Sequence, residues 1–409
     1  MNIHTIADFE KRLKEIAGHA TAPTNSLEMH DGVMYDLPQE QRLLLIGLVK
    51  DFIVKTKCSE TFSEKVVSNK IKSIFAQILS SPSLIFKDQI KLLADELESF
   101  DTVNTVYLRV DGLLVEKTLS LGKVTFSMCD EAYIDSILAP AIFESEGVRS
   151  SNALTFEQRI KPEIEKDLDR RCVARVEIIA EPNRAFERAK DEARRVIDIL
   201  RYSSKFIYPL SEDVRIGLIG DHPRADRIGY VTREKGFLLT SDAVGSPRAF
   251  VVDKAALTTM DSIGALELAG YLNEEQLSPF KECLLRAVHW YSSAITQSER
   301  ENSYLHLMIA LETLFTPEKG EPIANTIAES TALIINTTLP GRKQIKKFIK
   351  KCYGTRSTIA HGGKQTVSDT DLWELLIMVS NVIRQLTKKI HLFSTQKDVV
   401  AYLEDLKFS

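Results

Sequence analysis

Cysteine is scarce in this sequence and long apolar runs are missing, and each shortage excludes a class of protein. The five cysteines are scattered and form no Cys-x-x-Cys pair, at Cys58, Cys129, Cys172, Cys283 and Cys352. We therefore expect no structural zinc site. We expect reduced thiols in a cytoplasmic protein. No segment approaches the roughly 20 consecutive apolar residues of a membrane span. The N-terminus also lacks the basic-then-apolar pattern of a signal peptide. We expect a soluble chain with no membrane partner.

Several motifs of common enzyme classes are also missing. The sequence contains no G-x-S-x-G nucleophile motif, no Walker loop and no His-x-x-x-His metal spacing. His289 and His306 stand alone in apolar helical stretches, which is typical of packed core histidines. We therefore expect no cofactor and no metal.

The spacing of apolar residues predicts a mixed, predominantly α fold in three regions. Residues 1–100 form a helical region, because 39–57, 63–80 and 84–100 have apolar positions three and four residues apart. Residues 101–255 form an α+β module with a mainly antiparallel sheet. In that module, alternating segments surround Asp111-Gly112 and a helix begins at Pro182. Residues 256–409 form an up-and-down helical bundle. Its helices are expected near 277–297, 300–316, 322–337, 341–361 and 369–393.

One segment near the C-terminus, Tyr353-Gly-Thr-Arg356-Ser-Thr-Ile-Ala-His361-Gly-Gly, combines two residues suited to phosphodiester chemistry. Arginine is a permanent cation with a planar fork of donors that fits phosphate. Histidine can give or take a proton near neutral pH. Together they form a minimal set for cleaving RNA without a metal. In a continuous helix the two side chains would point about 140° apart. The glycine pair suits a helix end that would free His361 to turn.

The spacing of this pair is not specific by itself. Similar Arg-to-His spacings occur at Arg12/His19, Arg215/His222, Arg300/His306 and Arg384/His391. Arg356/His361 differs from these in being followed directly by Gly-Gly and preceded by a basic helix. The alternative interpretation is an ordinary helix end with a solvated arginine.

Cations accumulate before and around this pair. Eight cations and no acid lie between positions 342 and 364: Arg342, Lys343, Lys346, Lys347, Lys350, Lys351, Arg356 and Lys364. Such a stripe attracts a polyanion, so we predict RNA binding by Lys346, Lys347, Lys350, Lys351 and Lys364. The alternative is a solvated helix face, with Ile345, Phe348 and Ile349 facing the core.

Glu312 lies within an otherwise apolar stripe, Ile309-Ala-Leu-Glu-Thr-Leu-Phe315. A buried carboxylate is costly unless it is paired. Arg356 is the natural partner, so Glu312 is predicted to orient it. The alternative is a Glu312 side chain that faces solvent.

Three segments in order, 284–291, 305–315 and the Arg356/His361 segment, resemble the HEPN domain in its Apea-like subgroup. The resemblance covers roughly residues 275–393, and rests on Ala-Leu-Glu-x-Leu-Phe followed by Tyr-x-x-Arg-Ser-x-x-x-His-Gly. Other HEPN proteins often have Asn, Asp or His after the arginine, where this chain has Ser357.

The resemblance implies a homodimer in which two Arg/His pairs face each other across a cleft. One His361 would act as base and the other as acid, while Arg356 stabilises charge on the phosphate and Glu312 positions it. The implied function is a metal-independent endoribonuclease in bacterial antiviral defence, with a protein or nucleic-acid trigger and N-terminal modules for regulation or targeting. The alternative is a non-catalytic HEPN scaffold that binds RNA, nucleotide or a protein partner.

Overall fold

A computed structural model describes most of the chain. The described residues are 3–21, 28–30, 33–81, 85–145, 156–208, 214–221, 228–233, 236–241, 248–316, 323–362 and 366–408. They form a predominantly helical protein with a small, mainly antiparallel sheet, as the sequence predicts. Within these ranges, every helix is too short or too polar to span a lipid bilayer.

The chain forms two compact units. The first comprises Met1–Val106 and Glu177–Lys190, and the second comprises Tyr107–Val176 and Asp191–Ser409. Three elements contribute residues to both units: the strands Val103–Asp111 and Cys172–Ile179 and the helix Pro182–Ile207.

Among the described residues before position 100, the first unit is built on four helices and one hairpin. In chain order they are α1 (Ile3–Ala17), β1 (Glu28–His30), β2 (Val33–Tyr35), α2 (Gln39–Thr56), α3 (Glu64–Ser80) and α4 (Lys87–Glu98). The predicted helices correspond to α2, α3 and α4. Their three- and four-residue apolar spacing supplies one core, in which Phe9, Leu48, Phe52, Ile71 and Phe75 are buried.

The second unit contains a five-stranded sheet. Its strands are β3 (Val103–Asp111), β5 (Leu119–Leu121), β6 (Val124–Met128), β7 (Cys172–Ile179) and β8 (Gly217–Leu218). Their order is β5-β6-β7-β3-β8, and the β5–β6, β6–β7 and β3–β8 pairs are antiparallel. A separate antiparallel hairpin joins β9 (Ile228–Arg233) to β10 (Gly236–Ser241), and β4 (Leu113–Val115) pairs in parallel with β11 (Phe250–Val252).

Along the sequence, helices lie between these strands and after the last of them. The first three are α5 (Glu131–Ser145), α6 (Phe156–Leu168) and α7 (Pro182–Ile207), and α8 (Lys254–Ser262) and α9 (Ala265–Tyr271) follow β11. The sequence predicts α7 from Pro182. One face of α7 in the second unit is completely buried through Val196, Ile197 and Leu200.

The remaining helices pack on one another as a bundle. They are α10 (Pro279–Ile295), α11 (Arg300–Phe315), α12 (Ile323–Ile335), α13 (Leu339–Ala360), α14 (Asp369–Lys388) and α15 (Gln396–Phe408). α11 lies at the centre of this bundle, since it contacts α10, α12, α13, α14 and α15. Its position explains why the Ile309–Phe315 stripe is so apolar.

Candidate functional site

The Arg356 and Glu312 side chains form an ion pair between α13 and α11. Arg356 Nη2 donates a hydrogen bond of 3.2 Å to Glu312 Oε2. Arg356 Nε lies 3.0 Å from Glu312 Oε1, an ion-pair distance without the alignment of a hydrogen bond. Each side chain keeps only about a quarter of its surface exposed, 27% for Arg356 and 21% for Glu312. The contact is therefore the one that the apolar stripe around Glu312 predicts.

Burial and charge act in opposite directions on Glu312. Removal from water raises the pKa of the Glu312 carboxyl above its usual range, and the nearby Arg356 guanidinium counteracts part of that rise. Arg356 also lies over the Tyr353 ring, with its guanidinium carbon 5.9 Å from the ring centroid. Glu312 and Tyr353 thus restrict where the guanidinium can lie.

Local sequence explains why α13 carries Arg356 to this position. The Thr338 hydroxyl caps the start of the helix by accepting a hydrogen bond from the Gly341 amide at 3.3 Å. Ile345, Ile349 and Cys352 then form the buried face of the helix. Arg356 continues this face, four residues after Cys352, so its side chain is directed towards α11.

His361 ends α13. It is the residue that follows the last helical position, with φ −94° and ψ 16°, and its amide donates to the Ser357 carbonyl at 3.2 Å. Gly362 follows in the left-handed conformation with φ 77°, which is the role predicted for the glycine pair. Gly363 lies outside the described residues.

The His361 side chain is exposed, and in the described part of the chain no hydrogen bond or ion pair joins it to Arg356. The helix remains regular through Ala360, so the two side chains leave it in different directions. Within one chain, Arg356 belongs to the α11–α13 contact and His361 to the exposed helix end.

The predicted cationic stripe divides into paired and unpaired lysines. Lys346 Nζ lies 3.5 Å from Glu329 on α12, and Lys351 Nζ lies 2.8 Å from Asp371 on α14. Lys347 and Lys350 are exposed and have no ion-pair partner among the described residues. Lys364 lies outside the described residues.

The unpaired lysines and His361 share one side of α13. At 100° per residue, positions 343, 347, 350 and 361 fall within about 60° of one another around the helix axis. Lys343, Lys347 and Lys350 therefore form an exposed cationic row that leads along the helix towards His361. We call this row, with His361 at its end, the lysine row.

The structure corrects the interpretation of His289 as a packed core histidine. Its side chain is 59% exposed, and its Nδ1 lies 2.8 Å from Asp198 Oδ2 on α7. The apolar pattern of α10 does not predict this contact, because Asp198 lies 91 residues earlier in the chain. His306 is half-buried, and its ring packs edge-on against Trp290 at 5.2 Å between centroids. Burial lowers the pKa of His306.

Among the residues that the structure describes, no three His, Cys, Asp or Glu side chains are grouped as a metal site would require. Comparisons with protein-family models, with curated proteins and with solved structures find no match to this chain.

Proposed function

We propose that this protein is an endoribonuclease of the HEPN type that cleaves RNA without a metal. The single observation that carries the proposal is the Glu312–Arg356 pair, which holds a guanidinium between α11 and α13 at the start of the turn that ends in His361. A fixed arginine close in sequence to an exposed histidine suits a reaction in which negative charge develops on phosphate oxygens.

In the proposed reaction, the 2′-hydroxyl of the RNA attacks its own phosphate. One His361 takes the proton from the 2′-hydroxyl, and His361 of a second copy gives a proton to the leaving 5′-oxygen. Arg356 stabilises the charge on the phosphate through its remaining N–H donors, since Glu312 occupies only one side of the guanidinium. The products are a 2′,3′-cyclic phosphate and a free 5′-hydroxyl.

The lysine row supports RNA as the substrate. Its unpaired lysines are spaced along one side of α13 and end at His361, so a strand that follows them is delivered to the proposed proton-transfer group. Under this proposal the protein acts in the cytoplasm, possesses N-terminal modules for regulation or targeting, and responds to a protein or nucleic-acid trigger in antiviral defence.

A second candidate is a HEPN scaffold that binds RNA, nucleotide or a protein partner without cleaving. The separation of Arg356 from the exposed His361 within one chain favours it. This candidate predicts RNA binding through the lysine row and no cleavage.

Cleavage of a labelled RNA in the presence of EDTA separates the two candidates. We expect the wild-type protein to cut and the His361→Ala variant to be about 10²- to 10⁴-fold slower. His391→Ala is the matched control, because His391 is also exposed and follows an arginine, Arg384, at a similar spacing. Equal rates for wild type and His361→Ala would reject the ribonuclease, and RNA binding without cleavage would establish the scaffold.

A further inference from the structure

A cavity in the second unit has a lining that includes none of Glu312, Arg356 and His361. It is a cleft of about 710 Å³ between α7, the end of α9 and α10. This volume lies within the range of small-molecule sites, about 300–1,000 Å³. The Asp198–His289 contact lies at its wall.

Asp198 holds His289 through a polar network that is otherwise buried. Asp198 Oδ2 lies 2.8 Å from His289 Nδ1, and Asp198 Oδ1 accepts a hydrogen bond of 2.5 Å from the Ser292 hydroxyl. Arg201 Nη1 approaches Asp198 Oδ1 at 3.5 Å. Asp198 is 10% exposed and Arg201 is 9% exposed in their side chains, so the network is fixed by packing. The carboxylate keeps a proton on Nδ1, which leaves Nε2 of the exposed imidazole available to a molecule in the cleft.

The hydrogen bond to Asp198 also raises the pKa of His289. Protonation of the ring is thereby made easier, and in the protonated form Nε2 carries a proton that it can donate. A histidine in this state suits an anionic oxygen.

Besides Arg194, which is paired with Asp221, three further cations accompany this imidazole in the lining of the cleft. Arg195 lies one turn before Asp198 on α7, and Arg286 lies one turn before His289 on α10, so each helix presents an arginine beside its member of the pair. Lys123 comes from the turn between β5 and β6. All three are exposed, and none has an ion-pair partner in the described part of the chain.

The β5–β6 turn is shaped to reach this cleft. Gly122 has φ 56°, and a Cβ at this position would lie 2.9 Å from the Leu272 Cβ. A glycine is required both for the left-handed backbone and for this close approach. The turn therefore packs against Leu272 and holds Lys123 at the cleft.

Carboxylates complete the lining and restrict the class of ligand. Besides Asp198, the lining contains five carboxylates, of which Glu274 is paired with Lys281; they are Asp191, Glu192, Glu274, Glu275 and Glu282. A polyphosphate without other groups would be repelled by them, whereas hydroxyl groups would donate hydrogen bonds to them. The combination suits a molecule that carries one phosphate and several hydroxyls.

We propose that this cleft binds a small phosphorylated sugar, with His289, Arg195, Arg286 and Lys123 on the phosphate and the cleft carboxylates on the hydroxyls. The site is independent of the proposed ribonuclease, since it shares no residue with it.

Ribose 5-phosphate is the probe, and the readout is the NMR signal of His289 in the full-length protein labelled at histidine. The chain has eight histidines, and the signal missing from His289→Gln identifies His289. We expect ribose 5-phosphate to shift this signal saturably at fixed pH. Ribose alone, or sodium chloride at equal ionic strength, should leave it unmoved. A His289 signal that does not respond, or that responds equally to ribose or to salt, would overturn the proposal.

Calorimetric titration of variants tests the assignment of the cations. Arg195→Ala and Arg286→Ala should each weaken ribose 5-phosphate binding by about tenfold, since each removes a charge-assisted hydrogen bond. Lys388→Ala, which removes an exposed cation on α14 outside the cleft, should bind as the wild type does. Wild-type affinity in both arginine variants would overturn the proposal, and matching circular dichroism spectra would establish that every variant is folded.

Discussion

At the residue scale, the Glu312–Arg356 pair combines a structural cost with a positioning role. Glu312 is held where burial disfavours its charge, and Arg356 offsets that penalty through two close contacts. The pair uses Nε and Nη2 of the guanidinium, so Nη1 keeps donors that no described residue engages. A guanidinium that is held along one edge can bind a phosphate through its other donors, and little further side-chain entropy is lost on binding.

Removing Arg356 should expose the cost of burying Glu312. The Arg356→Ala variant leaves a carboxylate that is 21% exposed without its cation, so we expect about 2 kcal/mol of destabilisation at pH 7. Because burial raises the folded-state pKa of Glu312 above its unfolded value, protonation favours the folded state. The variant should therefore regain stability as pH falls from 7 towards 5, and urea unfolding at a series of pH values measures this.

The control for that experiment is the Glu312→Gln/Arg356→Ala double variant, which has no carboxyl to titrate at position 312. Its stability should therefore lack the gain that Arg356→Ala shows as the pH falls from 7 towards 5. If Arg356→Ala and the double variant show the same pH dependence, the pair does not influence the ionisation of Glu312.

At the scale of elements, the sequence predicts the helices around the site closely. The prediction of 341–361 compares with α13 at Leu339–Ala360, and 300–316 with α11 at Arg300–Phe315. Both helices have buried faces with regular spacing and clear end signals, such as Thr338 and Gly362. Such helices can be located from local chemistry alone.

Other elements lack such signals. The sequence does not predict α5 and α6, because each contains a proline, Pro140 and Pro162, which ordinarily indicates the end of a helix. The prediction of one helix over 369–393 merges α14 with the short turn at Ile390–Leu392, and it does not include α15. The Asp198–His289 contact joins α7 to α10 across 91 residues, and no local pattern contains that information.

Reversing charge in the lysine row should weaken RNA binding in a salt-dependent way. Lys347 and Lys350 have no described ion-pair partner, so Lys347→Glu/Lys350→Glu should leave folding largely intact. Each lost phosphate contact should reduce the slope of log affinity against log salt by about 0.7 for single-stranded RNA. Fluorescence anisotropy across a salt series measures both the affinity and the slope.

Lys50→Glu/Lys55→Glu on α2 is the matched control, because both lysines are exposed and the change in net charge is identical. It should retain the wild-type slope. If the α13 and α2 variants behave alike, the lysine row is only a solvated helix face and RNA binds elsewhere.

At the scale of the whole molecule, the proposed chemistry needs two copies of the chain. Each copy supplies one His361, whereas transesterification requires an acid and a base. The net charge of −4 also hides the cationic row on α13, which would become one continuous RNA surface if two copies met at their helix ends. We therefore expect a two-fold dimer formed through the C-terminal bundle.

Light scattering measures the mass of the assembly. Mixing of subunits also tests whether the two copies share one active site. If both His361 residues serve one reaction, an equimolar mixture with His361→Ala should lose more than half of the wild-type activity. Random pairing leaves only about a quarter of the dimers fully wild type. A monomer by light scattering with full activity would exclude the dimer mechanism, as would a mixture that retains half of the activity.

The chemistry of the cut ends examines the ribonuclease proposal most directly. An RNA with a single cleaved position is incubated with the wild-type protein in EDTA, and both new termini are identified by mass spectrometry. Attack by the neighbouring 2′-hydroxyl predicts a 2′,3′-cyclic phosphate and a 5′-hydroxyl, and no cleavage when that position carries a 2′-O-methyl group. A 5′-phosphate with a 3′-hydroxyl, or cleavage of the 2′-O-methyl substrate at the same position, would contradict the assignment of Arg356 and His361.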